Sequence, residues 1–128
     1  MLRIYLLLAA LFGFSGVALG AFAAHGLKAH LSAEYLAVFH TAVQYQMIHA
    51  LALFGVGLLA LLRPSPMVSC AGSLFALGIL LFSGSLYALT LSGLSALGIV
   101  TPLGGLAFLA GWACLGAAAW RLKEHGEA

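Results

Sequence analysis

Residues 33–62 read AEYLAVFHTAVQYQMIHALALFGVGLLALL, thirty residues with a single charged side chain, Glu34. At 1.5 Å of rise per residue, a helix of that length spans about 45 Å, well beyond the roughly 30 Å of bilayer hydrocarbon. The stretch reads as a transmembrane helix whose first part tilts, emerges or is shielded by protein. Ser32 precedes it as an N-cap, and Glu34 falls in the first turn, where a negative charge is favoured. Arg63-Pro64-Ser65-Pro66 ends it, because Pro64 disfavours a helical Arg63.

Three further apolar runs flank this one. Ser65 and Pro66 open a helix over about 66–91, and Thr101-Pro102 repeats the cap-then-proline signature for a helix over about 102–121. The first run, about 2–24, resembles a secretory signal ending Ala21-Phe22-Ala23. Its apolar length of about 20 residues is enough to span, and Gly16-x-x-x-Gly20 is a packing motif of a retained helix. Gly26 fits a left-handed C-cap for it. The expected fold is all-α: one domain, an integral membrane bundle of four up-and-down transmembrane helices.

Composition agrees. Of 128 residues, 64% are hydrophobic and 6% charged, against about 25% charged in soluble domains. A net charge of +2 without a basic run excludes a nucleic-acid partner. Cys70 and Cys114 lie inside apolar stretches and read as small packing residues.

In an up-and-down bundle, the ends of helices 1 and 3 and the starts of helices 2 and 4 share one half of the bilayer. That half collects the polar segments. His25, Tyr45, Gln46, His49, Ser83, Ser85 and Tyr87 form the expected ligand-binding cluster. On the second helix, His40 lies within about 40° of Gln44, and Thr41, Tyr45 and His49 make a second row. Phe39, Val43, Met47, Ala50 and Phe54 fill a strip of about 80° fit for lipid. The polar rows therefore face protein or a wet cavity, and this helix is expected at the centre. For Gln44, Tyr45, Gln46 and His49 the first reading is interhelical hydrogen-bond glue, at about 0.6 kcal/mol per bond, and a ligand or proton site is the second.

Gly16, Gly20, Gly84, Gly104, Gly105 and Gly111 are expected to pack helices closely, with Ala24 extending the Gly16–Gly20 groove and Ala88 paired with Gly84. No catalytic residue is assigned, since no acidic residue stands near Ser83 or Ser85 to orient a base. No metal or cofactor is expected either. His40 and His49 point to opposite sides of their helix, and no His-x-x-x-His or Cys-x-x-Cys pair occurs.

Several segments together carry a family resemblance: Gly20-Ala21-Phe22-Ala23-Ala24-His25, Tyr45-Gln46-x-x-His49, Leu81 to Tyr87, Thr101-Pro102-Leu103-Gly104-Gly105 and Phe108 to Trp112. The chain resembles the small four-helix membrane family of unknown function that groups bacterial YgdD-like proteins with eukaryotic transmembrane protein 256. Ala23 stands where that family often has glycine, and His30 and His40 fall outside its pattern. The resemblance implies a bacterial inner-membrane location and no particular activity.

The expected function is non-enzymatic: a membrane protein whose outer-half cluster binds a lipid or small amphiphile, or docks a membrane-protein partner. A channel or transporter subunit acting as a homo-oligomer is the alternative, and an intramembrane enzyme using His49 ranks last. With no carboxylate in the spans, a proton-coupled carrier would depend on histidine alone.

Arg3, Arg63, Arg121 and Lys123 fall on one side of the membrane and Lys28 on the other. This bias places both termini in the cytoplasm. A reporter active only in the periplasm, fused after Ala128, is expected to stay silent; an active fusion reverses the topology.

Overall fold

The computed structural model describes residues 3–122. The expected start of the first helix at Leu2, and the polar tail with Lys123, lie outside them. Four helices are long and apolar enough to cross a membrane: α1 (Ile4–Leu27), α2 (Ala33–Leu62), α3 (Pro66–Ser92) and α4 (Thr101–Trp120). They alternate in direction. The two ends of the described chain and the α2–α3 turn share the terminal half; the α1–α2 and α3–α4 connections share the distal half. α1 packs along α2 and α4 along α3, with α2 and α3 paired between them.

The ends of α2 and α3 follow from local chemistry. The Ser32 hydroxyl accepts from the Tyr35 N–H at 3.1 Å, and the Ser65 hydroxyl accepts from the Val68 N–H at 3.2 Å. α3 stops at Gly93, whose φ of 76° makes it the only described residue in the left-handed region, where a side chain would be strained.

Three local expectations are corrected. α1 does not end at Ala24, and Gly26 is not a left-handed cap. The helix continues through a π turn, Ala23–Leu27, in which Gly26 leaves room for the Phe22 ring. Ala23 and Leu27 are buried on the side of Gly16, while Ala24 and His25 are exposed. Thr101 is not an N-cap: Val100 takes that place, a 3₁₀ turn (Ser95–Ile99) runs almost directly into α4, and the Thr101 hydroxyl bonds Ser85 instead. The strip of α2 assigned to lipid is largely covered: Phe39 and Ala50 are buried and Val43 and Met47 half-buried under α1, while His40 and Gln44 are exposed.

The larger core joins Leu53 and Val56 of α2, Val68 and Phe75 of α3, and Phe108 and Ala118 of α4. Tyr5 ties α1 to this core. Its ring fills the space beside Gly72, and its hydroxyl donates to the Ser69 carbonyl at 2.9 Å. A smaller cluster in the distal half packs Ala23, Leu27 and Phe39 with Tyr87. Cys70 and Cys114 are free thiols that touch across α3 and α4, with 3.4 Å between sulfurs.

Small residues set the helix spacings. At Gly16 a Cβ would strike the Met47 sulfur, at Gly111 the Phe75 ring, and at Gly20 it would press on Val43 at 3.3 Å. Gly105 is looser, 4.0 Å from the Phe82 ring. Gly84 is not a packing site, since a Cβ there would meet only its own helix, and its expected partner Ala88 is exposed. A second π turn, Ile79–Ser83, lies just before it.

The closest approach to another helix's backbone is at Gly104, where a Cβ would fall on the Phe82 backbone. Because backbone cannot swing aside, Gly104→Ala is expected to destabilise by about 1–3 kcal/mol, the usual range for overpacking. Gly55→Ala, with nothing within 4 Å, should not destabilise. Thermal unfolding of the two variants in one detergent checks the contrast.

Candidate functional site

Gln46 is 3% exposed on α2. A carboxamide has two N–H groups and an oxygen to satisfy, and hydrocarbon offers nothing. Its Nε2 donates to the Phe12 carbonyl and to the Ser15 hydroxyl of α1, both at 2.8 Å. Its Oε1 accepts from the Tyr87 hydroxyl of α3 at 2.6 Å. One side chain thus joins three helices. Gly16 lets α1 come this close to α2, because a Cβ there would strike the neighbouring Met47 side chain.

His49, 4% exposed, lies one turn further along α2. Its Nδ1 is 2.8 Å from the Tyr45 carbonyl, and its Nε2 is 3.0 Å from the Trp112 indole nitrogen of α4. A carbonyl only accepts and an indole N–H only donates. The ring is therefore the neutral tautomer protonated at Nδ1, with the Nε2 lone pair occupied by Trp112. It stacks on Phe108, with centroids 3.6 Å apart and planes within 9°, and meets Phe75 at 5.5 Å.

Two serines complete the network. The Ser83 hydroxyl donates to the Ala42 carbonyl at 2.7 Å, joining α3 to α2. The Ser85 hydroxyl lies 2.5 Å from that of Thr101, joining α3 to α4, and 3.0 Å from the Phe82 carbonyl. The described residues contain no buried side-chain nitrogen or oxygen without a partner.

Two expected members stand apart. His25 is exposed on the π turn of α1 and is not among the hydrogen-bond partners of Gln46 or His49. Tyr45 faces outward at 39% exposure, its ring against Phe82 with centroids 4.5 Å apart. Ser15, Trp112 and Thr101 are partners that the sequence reading missed. An indole N–H and a hydroxyl inside apolar helices each require an acceptor, and that was the available signal. The Phe12 and Ala42 carbonyls carry no side-chain signal at all. Among the described residues, no three His, Cys, Asp or Glu side chains converge as metal ligands.

Tyr45 opens onto a groove of about 570 Å³ on the outer surface between α2 and α4. Phe82, Leu106, Leu109 and Trp112 line it with the edge of His49, and Pro102 lies at its distal end. Its walls are apolar or aromatic, and Tyr45 contributes a phenol hydroxyl.

The family described as "Protein of unknown function (DUF423)" matches residues 19–105. The chain is 48% identical to the UPF0382 membrane protein YwdK of Bacillus subtilis, over 87% of this chain and 91% of that protein. It is 44% identical to the UPF0382 inner membrane protein YgdD of Escherichia coli, over 97% of this chain and 95% of that protein. A UPF0382 membrane protein of Haemophilus influenzae is 46% identical over 94% and 96%. These matches bear out the bacterial side of the resemblance drawn from the sequence motifs. No solved structure matches the chain.

If the Gln46–Tyr87 bond ties α2 to α3, Gln46→Leu and Tyr87→Phe should be non-additive. A double-mutant cycle is expected to give a coupling of about 0.6–1.7 kcal/mol, the range for such bonds in membranes. Additive losses in thermal stability would show that the bond contributes nothing.

Proposed function

The chain belongs to the DUF423 family of membrane proteins of unknown function, and we propose that it is a non-enzymatic, multi-pass protein that seats one lipid chain in the Tyr45–Trp112 groove. The inner-membrane name of its Escherichia coli relative and the four spans support a bacterial inner-membrane location. Arg3, Arg63 and Arg121 share the terminal half, which supports cytoplasmic termini.

The observation that carries the reading is the state of His49. Both of its ring nitrogens are engaged, so it has no lone pair free to act as a base or metal ligand. Gln46, Ser83 and Ser85 are likewise bonded to neighbouring helices. Side chains so committed hold helices together; they neither line a conduction path nor perform chemistry. What remains open is the groove beside them. It faces the hydrocarbon, runs from Pro102 to Trp112, and carries Tyr45 where an ester or hydroxyl of an amphiphile could bond it. A lipid chain is the occupant that already surrounds this face in a membrane.

Leu106, 62% exposed on the groove wall, offers the test. Leu106→Trp fills the space. The indole takes the place of part of the chain, which then loses its dispersion contacts with the groove wall; about ten such contacts are worth on the order of 1.4 kcal/mol, or about tenfold in lipid affinity. Native mass spectrometry from mild detergent is expected to show lipid retained by the parent protein and about tenfold less by Leu106→Trp, at unchanged unfolding temperature. A parent protein that emerges without lipid, or a variant that retains as much, overturns the reading.

A further inference from the structure

A second cavity lies at the opposite end of the molecule. It has a volume of about 500 Å³ and opens between the α2–α3 turn and the end of α4. Arg63, Ser65, Pro66, Met67, Ala118 and Arg121 line it. We propose that this notch binds a phosphate group at the membrane surface.

Three observations on different elements converge. Arg63 stands just past the end of α2 with a non-helical backbone (φ −141°, ψ 67°), as the following proline favours, and its N–H bonds the Leu59 carbonyl at 2.7 Å. Arg121 closes α4, its N–H bonded to the Ala117 carbonyl at 3.2 Å. Two arginines from separate helices, both exposed, thus line one cavity. Among the described residues the single carboxylate is Glu34, at the far end of α2. The floor of the notch is the start of α3. There Pro66 has no N–H, the Ser65 hydroxyl takes the Val68 N–H, and the Ser65 carbonyl takes the Ser69 N–H. The Met67 N–H is left over at the positive end of the helix, as in helix-terminus anion sites.

Phosphate is the anion that this set fits. Guanidinium forms paired, charge-assisted bonds to phosphate oxygens, and two of them with an N–H can engage three oxygens of one group. The notch lies at the level where α2, α3 and α4 meet the membrane surface, which is the depth of phospholipid headgroups. Basic pockets between transmembrane helices take such headgroups. The phosphate can belong to an anionic lipid or be free in solution, and the two sources are separable.

The simpler reading is that both arginines only set topology and offset the negative ends of α2 and α4. Lysine does both of those things but cannot form the paired bonds. The experiment compares the full chain with Arg63→Lys/Arg121→Lys and Arg63→Gln/Arg121→Gln in nanodiscs of phosphatidylcholine with and without phosphatidylglycerol. Bound phosphatidylglycerol is read by native mass spectrometry. Affinity for it is expected to fall about tenfold in the lysine pair and further in the glutamine pair, as expected when charge-assisted bonds are lost. Millimolar inorganic phosphate should not displace the lipid from the parent protein; displacement would assign the site to a soluble phosphate instead. Equal retention by the parent and lysine proteins overturns the proposal, because charge alone would then explain it. Retention unaltered by Leu106→Trp keeps this result separate from the groove.

Discussion

A carboxamide held inside a bilayer needs three hydrogen-bond partners, and lipid supplies none of them. Gln46 takes its partners from α1 and α3, and the arrangement of both helices follows from that demand. α1 must come close enough for the Phe12 carbonyl to be reached, which the absence of a side chain at Gly16 allows. α3 must present Tyr87 toward α2, and it does so beyond the π turn at Ile79–Ser83, where the Gly84 N–H bonds back to the Ile79 carbonyl. His49 makes a similar demand on α4, met by the Trp112 indole and the stacked Phe108. Apolar packing in a membrane gains little from leaving lipid, which is as apolar as the core. The polar bonds therefore fix which helix faces meet, and the glycines fix how closely.

Length and composition made the four spans legible, because only a helix can satisfy its backbone across hydrocarbon. The depth of the polar residues was legible too, since up-and-down order determines which helix ends share a half. The lateral faces were not. On α2, an apolar strip reads the same whether lipid or another helix covers it, so Phe39, Val43 and Met47 were placed on the wrong side. His40 and Gln44 read as buried because they are polar, yet α2 is longer than the bilayer is thick, and polar residues near its start can stand exposed.

Helix register accounts for most of the remaining differences. At 100° per residue Ala23 lies within about 20° of buried Gly16, Ala24 about 80° away and His25 on the opposite side, so the buried face of α1 runs on through Ala23 and leaves Ala24 and His25 outside. A Cβ at Gly84 meets only its own helix, just past the π turn Ile79–Ser83 of α3. Such a turn is stabilised by what its residues contact, as when Ser83 reaches the Ala42 carbonyl. Backbone carbonyls are invisible in a sequence, so neither the turn nor its partner was readable there. The residues of the cluster were identifiable from their polarity; their grouping was set by backbone geometry.

The two halves of the bundle handle their polar groups in opposite ways. In the distal half, hydroxyls, amide and imidazole are bonded to one another or to backbone, and what they offer the membrane is a fixed surface with an aromatic groove. In the terminal half, cationic side chains line an open cavity with no described carboxylate in reach. A saturated polar interior resists both protonation and ligand entry, because any newcomer must break an existing bond in a medium that offers no replacement. Among the described residues the polar interior is thus bonded helix to helix, and the spaces that remain open lie on the outer surface and at the ends of the bundle, at the Tyr45–Trp112 groove and beside Arg63 and Arg121.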